Sequence, residues 1–286
     1  MTTVTRFAPS PTGPMHLGHA YAACVASDLA RDKRGRFLVR IEDIDQTRAR
    51  AHWETQIFDD LSWLGLHWET PVRRQSEHFR DYSKALDSLW EKGLIYPCSC
   101  NRRDILEAAA APQEGAERKF GPDGLVYPGT CRNKPKSKKR PSDMALRLDL
   151  NLALQSGTYS FIETGAGPNT ESGTISLDRA SIFKNVGDVV LARRDMGTSY
   201  HLSVVVDDAA QGVTRVTRGS DLFDATQIHV VLQNLMGFKT PLYHHHRLIR
   251  DENGKRLAKR DDARALAKYR SDGLSASDIR RMIGLG

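Results

Sequence analysis

Two histidines, His16 and His19, flank a Leu-Gly pair directly behind a turn built from Pro9, Pro11, Gly13 and Pro14. Proline and glycine at that density forbid continued strand or helix, while from Leu17 the apolar side chains Tyr21, Cys24, Val25 and Leu29 recur at helical spacing. With the apolar entry Val4 to Phe7 in front, the segment reads strand, turn, helix. A helix start leaves N–H groups unpaired and carries the positive end of the dipole, so it attracts phosphate. Gly18 allows close backbone approach there, and His16 and His19 offer donors to oxygens whose charge grows during phosphoryl chemistry. One histidine near a helix start is ordinarily packing or capping; two around Leu-Gly point to nucleotide handling.

Three further groups of residues have chemical potential. Cys98, Cys100 and Cys131 place three thiols in one stretch, enough for a tetrahedral zinc site with a phenol or water as fourth ligand; buried free thiols are the plain alternative. The basic run GKRLAKR, Gly254 to Arg260, lies in a loop rich in Asp, Gly and Asn, where by itself it is a solvated surface. His244, His245 and His246 are consecutive, and because a strand alternates faces they cannot all converge on one ion. Cys24 is a small core residue of the first helix.

The elements that must position these groups are an α/β set. Phe37 to Ile41 is an apolar run interrupted by Arg40, a strand that ends at Glu42, Asp43 and Asp45. Trp53, Ile57, Leu61 and Leu64 share one helical face, and Phe79, Tyr82, Leu86 and Leu89 another, closed by Gly93. Helices alternating with strands predict a doubly wound parallel sheet whose ligands sit at the carboxyl ends of its strands, where the His16 turn and Glu42 both lie. From Tyr96 to about Asp143 the pattern breaks into cysteines, an Ala-rich stretch and the basic run Lys134 to Pro141, which reads as an insertion. That run either touches a polyanion or is a flexible solvated loop. Ala145 to Leu150 reads as a strand that continues the sheet across the insertion. Asp188 to Arg194, Tyr200 to Asp208, a strand at Thr214 to Arg218 and a helix capped by Ser220 follow.

Composition sets the outer bounds. The 286 residues suffice for one catalytic domain with an insertion or for two domains, and 40% hydrophobic with 27% charged residues is that of a soluble globular chain. Lys and Arg number 42 against 35 Asp and Glu, giving +7 and a pI near 9.3, which favours a polyanionic partner without identifying it. The N-terminus lacks a signal pattern and no stretch is apolar enough to span a bilayer, so a cytoplasmic location without membrane contact is expected. Cysteine spacing of this kind suits metal binding in a reducing compartment.

HLGH at His16 to His19 resembles the HIGH signature of class I aminoacyl-tRNA synthetases, and RFAPSPTGPMHLGH as a whole resembles their glutamyl branch. GKRLAKR resembles the second signature of the class, KMSKS, with Arg256 and Ala258 standing for the first Lys and the Ser. RIED at Arg40 to Asp43, YHLSVVVDD at Tyr200 to Asp208 and TRGSDL at Thr217 to Leu222 match the same branch in order. The 27 residues after Lys259 can form one or two short helices, with Leu266, Tyr269, Ile279 and Met282 available for docking, but not a helical anticodon-binding region. That combination is similar to the truncated branch, the glutamyl-Q tRNA(Asp) synthetases.

The resemblance implies a Rossmann-like core with a small zinc-binding insertion and a short helical C-terminal region. Residues 1–95 and 144–250 would be the two halves of the core, 96–143 the insertion, and 251–286 the KMSKS-like loop and tail. It implies ATP with Mg²⁺, bound by His16, Gly18, His19 and Lys259, with His16, His19 and Lys259 catalytic. It implies L-glutamate bound by Arg6, Ser10, Glu42, Tyr200 and Arg218: two arginines for the carboxylates, Glu42 for the ammonium, and two neutral hydroxyls. It implies one Zn²⁺ on Cys98, Cys100, Tyr127 and Cys131, the CxC and YxxxC halves being set further apart here than in the compact form. The family activates glutamate without needing tRNA and esterifies it to queuosine at the wobble position of tRNA(Asp), a partner set that excludes DNA. Other outcomes are a shortened enzyme charging the 3′ end of tRNA(Glu), a non-catalytic RNA-binding or adenylate-sensing paralogue, and a nucleotidyltransferase of the superfamily acting on a small cofactor.

Overall fold

The computed structural model describes residues 2–109, 120–155, 157–250 and 264–286. The chain opens with β1 (Val4–Phe7), α1 (Leu17–Arg31), β2 (Arg36–Ile41), α2 (Ala51–Trp63) and β3 (Glu69–Arg74), whose strands pair in parallel in that order. Helix α1 buries Leu17, Tyr21, Cys24 and Val25, the face its periodicity predicts. Strand β3 is an edge with half-exposed residues and a proline, so it carries no alternating apolar pattern and the sequence reading does not see it.

After α3 (Phe79–Glu91), strand β4 (Ile95–Cys98) leads into α4 (Arg102–Ala109) and the small hairpin of β5 (Phe120–Gly121) and β6 (Gly124–Leu125). β7 (Ala145–Leu148) then pairs antiparallel with β4. This corrects the expectation that the parallel sheet resumes at Ala145: β7 builds a separate three-stranded sheet. Its other edge is filled, after α5 (Leu150–Ala153), β8 (Tyr159–Glu163), β9 (Gly173–Leu177) and α6 (Arg179–Asn185), by β10 (Val190–Ala192). The basic run is tied to α3 rather than standing free: Arg140 donates to Asp87 at 2.6 Å and Ser83 at 2.7 Å, and Lys136 to the Gly93 carbonyl at 2.9 Å.

The parallel sheet takes up β8 first, and after α7 (Tyr200–Ala210) comes β11 (Arg215–Gly219), which runs beside β1 where the Thr214 N–H donates to the Val4 carbonyl at 3.0 Å. Ser220 opens a single 3₁₀ turn, and α8 (Thr226–Leu235) starts a turn later than its predicted cap. β12 (Leu242–His246) lies parallel to β11, β8 parallel to β12, and β9 closes the edge antiparallel. The strands thus leave the β1/β11 junction in both directions, β2 and β3 on one side and β12, β8 and β9 on the other. Ligand crevices of open α/β sheets form at such a junction, outside the carboxyl ends of the strands.

Two short helices, α9 (Leu266–Ser271) and α10 (Ala276–Met282), pack on the core shared by α1 and α2. Leu266 and Ile279 are fully buried as expected, whereas Met282 is half exposed and Ile283 takes its place inside. Each such apolar side chain contributes about 1.5–3 kcal/mol of burial. No helix of the described residues is long and apolar enough to cross a membrane.

Candidate functional site

The HLGH turn builds a hydrogen-bonded cap from its own two histidines. His16 is the N-cap of α1, its Nδ1 accepting from the Gly18 N–H at 3.1 Å, and His19 Nδ1 accepts in return from the His16 N–H at 3.2 Å. The rings stack at 3.8 Å. With both Nδ1 atoms acting as acceptors, each neutral ring carries its proton on Nε2, the tautomer that donates to an anion. Gly18 has a reason to be glycine that the sequence did not reveal: a Cβ there would lie 3.0 Å from His16 Cε1, against the capping ring itself. Across the turn, the Leu266 N–H donates to the Met15 carbonyl at 2.8 Å and His16 bridges Ala265, so the chain following the second signature is anchored on the first. Lys259 lies outside the described residues.

At the β1/β11 junction a cavity of about 150 Å³ is lined by Arg6, Glu42, Tyr200 and Arg218. Ser10 lines an adjoining cavity of about 250 Å³ whose wall again includes Glu42 and Tyr200. Four elements deliver these groups: β1 carries Arg6, the end of β2 Glu42, the first turn of α7 Tyr200, and β11 Arg218.

The two arginines differ electrostatically. Arg6 is clamped by Asp208, at 2.9 Å from Nε and 3.3 Å from Nη2, and its Nη1 donates to the Thr217 carbonyl. Asp208 also receives Arg40 Nη1 at 2.7 Å, and Arg40 reaches Glu42 at 3.3 Å. Burial works to raise the Asp208 carboxyl, but Arg6 and Arg40 together hold it below the usual range. Arg218 is equally buried, yet every protein acceptor it meets is neutral: His245 Nε2 at 3.3 Å, His229 Nδ1 at 2.9 Å and Thr226 Oγ1 at 2.5 Å. No carboxylate of the described residues lies within ion-pair distance of it. A buried cation so arranged is matched by an anion from outside. Burial pushes Glu42 up despite Arg40 and Arg6, a cost that a cation beside it would offset.

Arg40 is the centre of this ionic cluster and fully buried. The sequence signal was a charged residue inside the apolar run FLVRI, visible but without a partner to assign. Asp207 and Asp208 orient neighbouring side chains. Asp207 accepts from Arg73 at 2.7 Å, Gln75 at 2.8 Å and Tyr82 at 2.9 Å.

Cys98, Cys100 and Cys131 bring three sulfur atoms within 4.8 Å of one another, with Cys100 and Cys131 at 3.5 Å. The Tyr127 hydroxyl lies 3.4 Å from Cys98 Sγ and 3.3 Å from Cys100 Sγ, and accepts from the Cys131 N–H at 3.0 Å. A tetrahedral zinc with Zn–S near 2.3 Å and Zn–O near 2.0 Å needs S···S of roughly 3.8 Å and S···O of roughly 3.5 Å. The donor set therefore fits such an ion. Arg147 donates to Cys98 Sγ at 3.3 Å and lies over the Tyr127 ring.

The consecutive histidines do alternate: His245 turns inward to Glu163, while His244 meets Thr164 and His246 the Arg247 carbonyl.

The family model of the class I tRNA synthetase (E and Q) catalytic domain matches residues 2–285. A Rhodobacter capsulatus protein named glutamyl-Q tRNA(Asp) synthetase is 60% identical over 284 residues, 99% of this chain and 100% of its own. A Nitratidesulfovibrio vulgaris protein of the same name is 38% identical over 290 residues, 96% of this chain and 83% of its own. Among solved structures, a glutamate tRNA ligase from Elizabethkingia meningosepticum in complex with its amino acid matches with TM-score 0.77 at 23% identity. That match covers 100% of this chain and 61% of the ligase, so the chain spans about three fifths of that enzyme's length. The Mycobacterium tuberculosis methionyl-tRNA synthetase bound by methionyl-adenylate matches with TM-score 0.60 at 14% identity over 98% of this chain and 63% of its own. These two likenesses are of fold.

Proposed function

The chain belongs to the class I tRNA synthetases for Glu and Gln, within them to the glutamyl-Q tRNA(Asp) synthetases, and from that premise we propose that it activates L-glutamate with ATP and transfers it to queuosine of tRNA(Asp). The observation that carries glutamate as substrate is Arg218, a buried cation with neutral acceptors only, opening on a cavity shared with Glu42, Tyr200 and Arg6. Arg218 takes one carboxylate, Glu42 the ammonium, and Arg6, Tyr200 and Ser10 supply further hydrogen bonds. The acceptor rests on the near-full-length identity to the Rhodobacter capsulatus relative and its name.

In the first step the glutamate α-carboxylate attacks the α-phosphorus of ATP in line, and pyrophosphate leaves. No protein nucleophile is required; the chain contributes positioning and charge. The Nε2–H donors of His16 and His19, at the positive end of α1, meet the phosphate oxygens, and Gly18 keeps the cap that fixes their tautomer. Lys259 is assigned to the phosphates as well, six residues of chain from the Ala265 that bridges His16. ATP would bring Mg²⁺, which would supply screening of its phosphate charge. In the second step a hydroxyl of the queuosine cyclopentene diol attacks the glutamyl carbonyl of the mixed anhydride, and AMP leaves. Cys98, Cys100, Tyr127 and Cys131 would hold one Zn²⁺, which supplies cross-linking of the insertion rather than chemistry. Core halves at 1–95 and 144–250, an insertion at 96–143 and a signature loop with tail at 251–286 belong to the same proposal. Glutamate-dependent exchange of pyrophosphate into ATP, run without tRNA, tests the activation step. Exchange only on adding tRNA, or with another amino acid, would overturn it.

A further inference from the structure

Behind Arg218, away from the reacting groups, Glu163 is buried at the end of β8 with its carboxylate fully engaged. Oε1 accepts the N–H groups of Gly165 at 2.7 Å and His245 at 2.9 Å, and Oε2 lies 2.5 Å from His245 Nδ1. The turn is shaped for this contact, because a Cβ at Gly165 would clash with the His245 carbonyl. Three N–H donors outweigh burial and hold the Glu163 carboxyl below its usual range, while burial holds His245 below its own. The pair is therefore a carboxylate and a neutral imidazole. Its ring proton sits on Nδ1 toward Glu163, leaving the Nε2 lone pair for the Arg218 Nε–H at 3.3 Å. Thr226 Oγ1 completes the cradle, 2.5 Å from Arg218 Nη2 and 3.2 Å from the same His245 nitrogen.

From this geometry we propose that Glu163 and His245 are a positioning pair for Arg218. Glu163 fixes the His245 tautomer, and His245 aims the guanidinium at the substrate carboxylate. A carboxylate in direct contact would satisfy Arg218 and compete with glutamate. An interposed neutral ring gives direction while one N–H on each Nη stays available to the ligand and Tyr200. With the other tautomer, Nε2–H would face Nε–H and turn the guanidinium away.

The inference rests on the reading that Arg218 binds a substrate carboxylate, so the test carries Arg218→Ala alongside. In Glu163→Gln the amide NH₂ opposes an N–H donor, and the KM for glutamate in pyrophosphate exchange should rise about tenfold or more while the KM for ATP moves less than about twofold. Glu163→Asp should recover part of the loss, and Thr226→Val, which leaves Glu163 untouched, should shift the glutamate KM in the same direction. ¹⁵N spectra of the wild type should show His245 protonated on Nδ1. An Nε2-protonated His245 would overturn the proposal whether or not any variant folds. So would a folded Glu163→Gln whose glutamate KM stays within about twofold of wild type, or one in which both KM values rise together and kcat falls. If Arg218→Ala leaves the glutamate KM unchanged, the pocket reading itself fails; if Arg218→Ala raises it and Glu163→Gln does not, only the positioning pair fails.

Discussion

Arg6 and Arg218 both line the cavity proposed to hold glutamate, but their charges are balanced differently, and alanine substitution should separate them. Arg218 is buried, and the hydrogen-bond acceptors it meets among the described residues, His245, His229, Thr226 and Tyr200, are all neutral. Truncating one member of a buried charge pair costs about 2–5 kcal/mol, so Arg218→Ala should weaken glutamate binding about 30- to 4000-fold at 1.4 kcal/mol per tenfold. The free protein loses no ion pair with it, and a buried cation without a carboxylate is removed, so the melting temperature should hold or rise. Arg6→Ala also weakens glutamate binding, but it strips two of the three hydrogen bonds that arginines make to buried Asp208, leaving Arg40 alone at 2.7 Å. Loss of charged hydrogen bonds of that kind costs about 1–3 kcal/mol of folding stability. The assay is glutamate and ATP dependence of pyrophosphate exchange for both variants, with thermal unfolding of each. A glutamate KM within about threefold of wild type in Arg218→Ala would refute the charge argument. Equal loss of melting temperature in the two variants would do the same.

Other consequences are as specific. Asn keeps a helix cap but has no Nε2–H, so His16→Asn should slow adenylate formation about 10²- to 10³-fold with little loss of stability, and Lys259→Ala should act similarly; unchanged exchange in either removes that residue from the mechanism. Elemental analysis should find about one zinc per chain, and Cys131→Ser should release it; metal-free protein purified without chelators would exclude the site. Asp60 is fully buried, both its oxygens lack a hydrogen-bond partner among the described residues, and Arg270 is 3.7 Å away. Burial lifts its carboxyl to about 6 against the pull of Arg270 and with some help from Asp59. The folded state thus binds a proton that the unfolded state has released between pH about 4 and 6, and Asp60 costs stability as pH rises through that window. Asp60→Asn should therefore stabilise the protein at pH 7.5, on the order of 1–3 kcal/mol, and lose that advantage near pH 4; equal stability of the two proteins at pH 7.5 would contradict it.

Local rules carried a large part of this structure. The helix face of α1, the failure of His244, His245 and His246 to converge and the place of Glu42 at a strand end follow from spacing, because neighbours a few residues apart share a face or a turn. Partnerships across the chain did not follow. Asp208 clamping Arg6 and Arg40 joins residues 202 and 168 positions apart, and Glu163 meets His245 over 82. Nothing in periodicity pairs them. Strand β8 was readable in principle, since Tyr159, Phe161 and Glu163 alternate inward, but its buried charge breaks the apolar pattern. The antiparallel turn of β7 against β4 depends on the insertion between them, and a short apolar strand carries no mark of its direction. The His16 cap was hidden because its role needs ring geometry: the same histidines that invite a phosphate reading first satisfy their own helix.

The most direct measurement is transfer of labelled glutamate, with ATP, onto purified tRNA(Asp) with and without queuosine and onto tRNA(Glu). Glutamyl transfer to queuosine predicts label on the queuosine-containing tRNA(Asp) alone. Label on tRNA(Glu), or on tRNA(Asp) lacking queuosine, would contradict it and make this a shortened synthetase charging a 3′ end.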